Sequence, residues 1–301
     1  MATTIRNPIE WSVDQLLNVA QGVNATSRAL GHVPATLHSP LPAVRRIGAA
    51  DLRDALARGF DDFVACRTDV LFLCAFYPIV GLILGRVIFG EDMLALFFPL
   101  AAGFALIGPL AAVGLIEMSR QREQGRTTVG WTTAFDVLHS PSIGAIAVLG
   151  LLLLAIFLIW LFAAAMIYRF TLGPIEPASL AGFLHDVVAT ERGWALIGLG
   201  VGVGFLFAVL VLVISVVSFA LLLDRDAGVG TAVRTSLRVV AENPATLALW
   251  GLIIAAALVL GSLPIFLGLV VVMPVLGHAT WHLYRKTVEP SAVLDNPRPK
   301  A

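Results

Sequence analysis

The chain has 301 residues, of which 58% are hydrophobic and only 13% charged, with a mean hydropathy of +0.89. A soluble domain averages about 45–50% apolar and about 25% charged, so one water-soluble core cannot hide these side chains and the bilayer must be their solvent. Twenty basic residues, eighteen of them arginine, balance twenty acidic ones, so net charge gives no argument for nucleic acid or an acidic substrate.

The N-terminus, MATTIRNPIEWSVDQLLNV, has no apolar core of signal-peptide type. Residues 1–42 read as a polar segment with one amphipathic helix, Pro8–Val23, and a proline-containing linker. Residues 43–288 hold the membrane domain and 289–301 read as a disordered tail. A membrane helix needs about 20 apolar residues. Five runs reach that length: Val70–Phe89, Leu94–Met118, Ile143–Tyr168, Trp194–Leu223 and Ala245–Tyr284. The last is too long for one span and carries the breaker GSLP at Gly261–Pro264, which divides it into Ala245–Ser262 and Pro264–Leu283. The expected fold is therefore an all-α polytopic transmembrane bundle of six spans, arranged as three hairpins.

Lys and Arg counts orient the bundle. With the N-terminus cytoplasmic, seventeen basic residues fall inside, and only Arg86, Arg169 and Arg192 fall outside. Both termini are thus expected in the cytoplasm. Trp160 and Trp194 read as anchors at the outer interface, Trp281 and Tyr284 at the inner one. The outer loop Thr171–Arg192 should hold a short surface helix near Leu180–Val188.

Each hairpin is preceded by an amphipathic stretch: DLRDALARGFDDFVACR, GRTTVGWTTAFDVLHSP and GVGTAVRTSLRVVAENP. In the first, Leu52, Leu56, Phe60, Phe63 and Val64 recur at helical spacing. We read three copies of one unit, a cytoplasmic interfacial helix followed by a membrane hairpin.

FALIGPLAAVGLIEMSR, ISVVSFALLLDRDAG, RTSLRVVAENP and PVLGHATWHLYR together resemble a family of bacterial integral membrane proteins known as domain of unknown function 2189. The resemblance runs over roughly residues 43–288. Some members carry the label of a cytochrome c oxidase subunit. The resemblance implies a bacterial membrane location and brings no catalytic or binding residue with it.

The oxidase label can be weighed against the residues. A haem-copper core needs a set of membrane-buried histidines for two haems and a copper. The chain has six: His32 and His38 in the polar segment, His139 and His185 in loops, and His278 and His282 near the inner edge of the last span. That count excludes the catalytic core. GHATWH still places His278 and His282 on one helix face, a candidate haem-binding pair, against the ordinary reading of histidines at a helix end where positive charge is favoured. No metal site is expected. Cys66 and Cys74 form no CxxC and read as buried thiols.

The centres of the spans lack ionisable residues, which argues against proton-coupled transport. Glu117 and Arg86 read as snorkelling residues at helix ends. Pro78, Pro109 and Pro274 could kink helices around a cavity. GLGVGVG at 198–204 lies inside an apolar run and is no dinucleotide loop. With Gly81 and Gly85, Gly198 and Gly202 read as small faces for helix packing. Asp61 and Asp62 read as a charged partner surface. No catalytic constellation appears, so no enzyme is expected.

The leading expectation is a non-catalytic inner-membrane scaffold or accessory subunit whose partners are lipid, other membrane proteins or itself. A channel or carrier for an uncharged or amphiphilic solute comes second. A redox protein with haem at His278 and His282 comes third.

Overall fold

The computed structural model describes residues 41–74, 99–100, 106, 108–126, 128–173, 179–264 and 267–290. The Pro8–Val23 helix, most of the first span, much of the second, Gly81, Gly85 and the end of the tail lie outside them. The described elements are helical, apart from one antiparallel bridge between Val44 and Val288.

Helix α1 runs unbroken over Ala49–Cys74, so the expected interfacial segment and the start of the first span are one element. At its start the Asp51 carboxylate accepts the Gly48 amide at 2.9 Å, an acid placed where the helix N-terminus favours it. Its buried stripe is Leu52, Ala55, Gly59, Asp62, Phe63 and Cys66, while Phe60 and Val64, members of the apolar set at helical spacing, face outward. The small residues decide this. A Cβ on Gly59 would lie 2.6–2.8 Å from backbone and Cβ atoms of Ala279, so the stripe of least bulk lets another helix close in.

Helix α2, Val113–Glu123, ends in a turn in which Gly125 takes φ +84° and the Gly125 and Arg126 amides donate to the Arg122 and Gln121 carbonyls. Only the glycine reaches that left-handed conformation without strain. The second connector then forms a 3-10 helix, Trp131–His139, closed by Pro141. Helix α3 covers Ile143–Thr171.

Helix α4, Leu180–Ala189, is the short helix expected in the outer loop. Ser179 caps it through the Gly182 amide at 3.1 Å, and Thr190 caps α5, Glu191–Ser215, through the Gly193 amide at 2.9 Å. The fourth apolar run is interrupted: α5 stops at Ser215, and α6, Ser218–Asp224, resumes after a turn at Val216 and Val217. Hydroxyls sit at the break. Ser218 donates to the Ile214 carbonyl at 2.5 Å, and Ser236 reaches from the next helix to the Val213 carbonyl at 2.7 Å. Side chains that take carbonyls from the ladder bend or break helices.

Helix α7, Val229–Glu242, is the third connector, and it packs on α5 and α6 rather than standing free. The three connectors thus adopt three different structures. Helix α8, Pro244–Ser262, starts with proline in its first turn. It is separated from α9, Leu269–Thr287, at the expected GSLP breaker. There Gly268 meets the backbone of Gly261 so closely that a Cβ would fall 2.7 Å from its Cα.

Three stretches are long and apolar enough to cross a bilayer among the described residues: Ile143–Thr171, Glu191–Asp224 and Pro244–Ser262. They bury Leu149, Leu153, Val217, Phe219 and Trp250 in one core, and expose Phe162, Phe205, Leu206, Leu252 and Leu260 outward. A lipid-facing side chain has that second pattern, because hydrocarbon imposes no cost on it. Trp160 does not face outward. It is buried, packs on Phe207, and donates to the Pro99 carbonyl at 3.1 Å, because an indole in a core needs an acceptor. Trp194, at the start of α5, is exposed as an anchor would be.

Candidate functional site

The polar side chains gather at one end of the bundle, where α1 and α9 run antiparallel and α2 and α6 end beside them. Asp62 sits at the centre, 7% exposed. Its Oδ2 accepts from Ser119 at 2.6 Å and from His282 Nε2 at 2.8 Å, and its Oδ1 accepts from Arg122. Burial by itself would raise its pKa, but the bonds from His282 and Ser119 and the neighbouring histidine charge outweigh it and hold Asp62 below the usual carboxylate value. On the other side of Ser119, its Oγ lies 2.8 Å from His278 Nδ1. His278 is fully buried, and its Nε2 has no hydrogen-bond partner among the described residues.

Around this centre the charges close on one another. Glu117, 2% exposed, takes two bonds from Arg120 at 2.7 Å and one from Gln121 at 2.6 Å. It is a buried ion-pair member and not the snorkelling end residue expected, because Arg120 lies one turn away on the same helix. Glu123 accepts from Trp281 at 2.5 Å and Arg285 at 3.0 Å. Tyr284 donates to Asp224 at 2.6 Å, and burial together with that carboxylate pushes the phenol up. Lys286 reaches Asp51 at 3.2 Å and Asp54 at 2.9 Å, and the Asp54 bond, against its desolvation, raises the ammonium pKa. Asn243 holds the chain ahead of α1 by accepting from the Ile47 amide at 2.7 Å and donating to the Arg45 carbonyl at 3.1 Å.

A cavity of about 280 Å³ opens beside Asp62, lined by Arg58, Asp61, Asp62, Ser119, Arg122, Glu123 and His282. A second, of about 360 Å³, lies between Glu117, Arg120, His139 and the Asp224–Asp226 turn. Among the described residues no three His, Cys, Asp or Glu side chains group so as to hold a metal ion.

The predicted site residues separate. His278, His282 and Asp62 come together in one network, with Asp62 facing inward and Asp61 exposed on the cavity wall. Gly198 and Gly202 face open space: a Cβ at either position would meet nothing within 4 Å among the described residues, while the close helix approach is at Gly59 and Ala279. Ser119, Arg122, Glu123 and Gln121 were not read from the sequence as site residues. The available signal was Asp62 itself, a carboxylate on the stripe of 52, 55, 59 and 66, which demands buried donors from elsewhere in the fold.

Residues 97–224 match a known family model. Its description is "Predicted integral membrane protein (DUF2189)". The match contains α2 through α6 and, of the network, Glu117, Ser119, Arg120, Gln121, Arg122, Glu123 and Asp224. It is narrower than the stretch that the sequence phrases suggest, and leaves α1 and α7 through α9, with Asp62, His278 and His282, outside it. The protein is an integral membrane protein, on this match and on its three apolar helices. No curated protein and no solved structure matches the chain.

Proposed function

We propose that the protein is a non-catalytic scaffold or accessory subunit of a bacterial inner membrane, with both termini cytoplasmic, that presents a rigid polar end to other membrane proteins. The reading is supported above all by the ion-pair network, in which α1, α2, α6 and α9 are tied by side chains whose charges are mutually satisfied. A buried pair costs several kcal/mol per ion to desolvate, and losing one partner costs about 3–5 kcal/mol, so such a network fixes helix positions rather than leaving charges ready for chemistry. The basic-residue asymmetry supports the orientation. The exposed residues of α1 on the cavity wall, Arg58 and Asp61, are the charged surface such a partner would meet.

The test is extraction of the tagged protein in native-membrane discs, followed by identification of what is retained. Defined membrane proteins in near-equal amount, lost at least tenfold in Asp61→Arg, are the expected result. Recovery of the protein alone, with solute flux in proteoliposomes, would replace this reading with the carrier. A haem absorption band that vanishes in His282→Ala would replace it with the redox protein.

A further inference from the structure

The cavity of about 360 Å³ sits where two of the membrane-crossing stretches end. Leu222, Leu223 and Asp224 on its wall close the Glu191–Asp224 stretch, and Ser140, Pro141 and Ser142 lead directly into α3 at Ile143. The change between apolar and polar side chains at both places sets the cavity at the level of the lipid headgroups. The 3-10 helix that supplies His139 to the wall exposes Phe135 and Leu138, one turn apart and so on one face. Apolar side chains turned outward beside a headgroup-level cavity offer a surface to acyl chains.

Several donors on the wall are unspent. Arg120 gives Glu117 two of its five N–H groups. Arg225 donates through Nη2 to the Glu289 carbonyl, but its Nε is buried without a hydrogen-bond partner among the described residues, 3.5 Å from Asp224. The Ser140 hydroxyl accepts the Ser142 amide at 3.2 Å, which leaves its own proton to donate. Ser142 precedes α3 without capping it through its side chain, so the first-turn amides add positive potential there. These groups suit a phosphate. Among the carboxylates, Glu117, Asp136 and Asp224 are paired with Arg120, Arg126 and Arg225. Asp226 is exposed on the wall and has no ion-pair partner among the described residues, so one negative charge is left over. That charge repels a bare phosphate and favours one that carries its own cation.

We propose that this cavity binds the phosphoethanolamine headgroup of a phospholipid. The phosphate lies between Arg120, Arg225 and Ser140, the ammonium meets Asp226, and the acyl chains follow the outward face of the 3-10 helix. The volume is at the lower end of the range of about 300–1,000 Å³ for ligand cavities, as a headgroup requires. The inference stands apart from the scaffold reading, since a scaffold and a carrier alike could hold a lipid there.

Native mass spectrometry of the delipidated full chain tests it, with phosphatidylethanolamine and phosphatidylglycerol of the same acyl chains offered in equal amounts. Phosphatidylethanolamine should be retained about fivefold over phosphatidylglycerol, the worth of one partly exposed charge pair. Asp226→Asn, a change at an exposed position, should remove that preference. Arg225→Gln should lower retention of both lipids, and Ser140→Ala carries the same expectation should the arginine variant not fold. Equal retention of the two lipids by the wild type overturns the proposal, and so does a preference that Asp226→Asn leaves unchanged. Glycerophosphoethanolamine, which has the headgroup and no acyl chains, separates the two sources of this chemistry. If it displaces the lipid at equal concentration, the occupant is a water-borne phosphoethanolamine compound and the lipid assignment fails.

Discussion

Two helices of this protein meet their surroundings in opposite ways. Helix α5 is apolar all round, packs Phe207 on Trp160, and turns Phe205 and Leu206 outward; a Cβ at Gly198 or Gly202 would touch nothing within 4 Å among the described residues. Helix α9 is apolar in its first half only. Its second half buries His278, Trp281 and Tyr284 against α1, α2 and α6, and its Gly277 would clash with Leu115 if it bore a Cβ. The first turns an apolar side outward, where a lipid surrounding tolerates change. The second is held by specific partners, and each has a consequence when removed.

The contrast should be largest at Asp62. Asp62→Ala leaves Arg122, Ser119 and His282 without their acceptor, and a loss of about 3–5 kcal/mol is expected for breaking a buried pair. Thermal unfolding in one detergent at fixed concentration measures it, and a shift no larger than that of a surface variant would place the network outside the stability of the fold. The same residue sets the acid response. Its folded pKa lies below the ordinary value of about 3.9, so the carboxylate contributes stability above that value and loses it as pH falls through the depressed one. The wild type should therefore lose stability on acidification more steeply than Asp62→Ala.

Gly59→Val comes next. The added atoms enter the space occupied by Ala279, and overpacking of this kind costs about 1–3 kcal/mol. Its unfolding midpoint should fall, with a partial return in Gly59→Ala. Gly202→Leu should show the smallest effect, within about 0.5 kcal/mol, since its side chain enters open space and a helix interior disfavours glycine. A large loss there would reveal a helix partner seated on α5, and would sharpen the scaffold reading into a defined interface.

Composition and hydropathy were sufficient for the membrane, for α3, for the short helix α4 and for the division between α8 and α9. These features depend on local properties: length of apolar run, capping serine and threonine, and a Gly–Pro breaker. The amphipathic pattern of α1 was legible as a helix, but its buried face was not. Of the apolar set at helical spacing, Leu52, Leu56 and Phe63 pack inward and Phe60 and Val64 face out, and the closest approach falls at Ala55 and Gly59, because small residues let a neighbouring helix close in. The break after Ser215 was hidden too, since it depends on Ser236, in the following helix, reaching back to the Val213 carbonyl.

GHATWH shows where the sequence stops. The spacing of His278 and His282 places them on one helix face, and that much follows from the period of an α-helix. Which partners they have depends on Asp62, more than two hundred residues earlier, and on Ser119 between them in the chain. Only the packing of α1 and α2 against α9 brings those groups within 3 Å, and it is that packing, not residue type, that pairs one histidine with a carboxylate and buries the other against a serine hydroxyl.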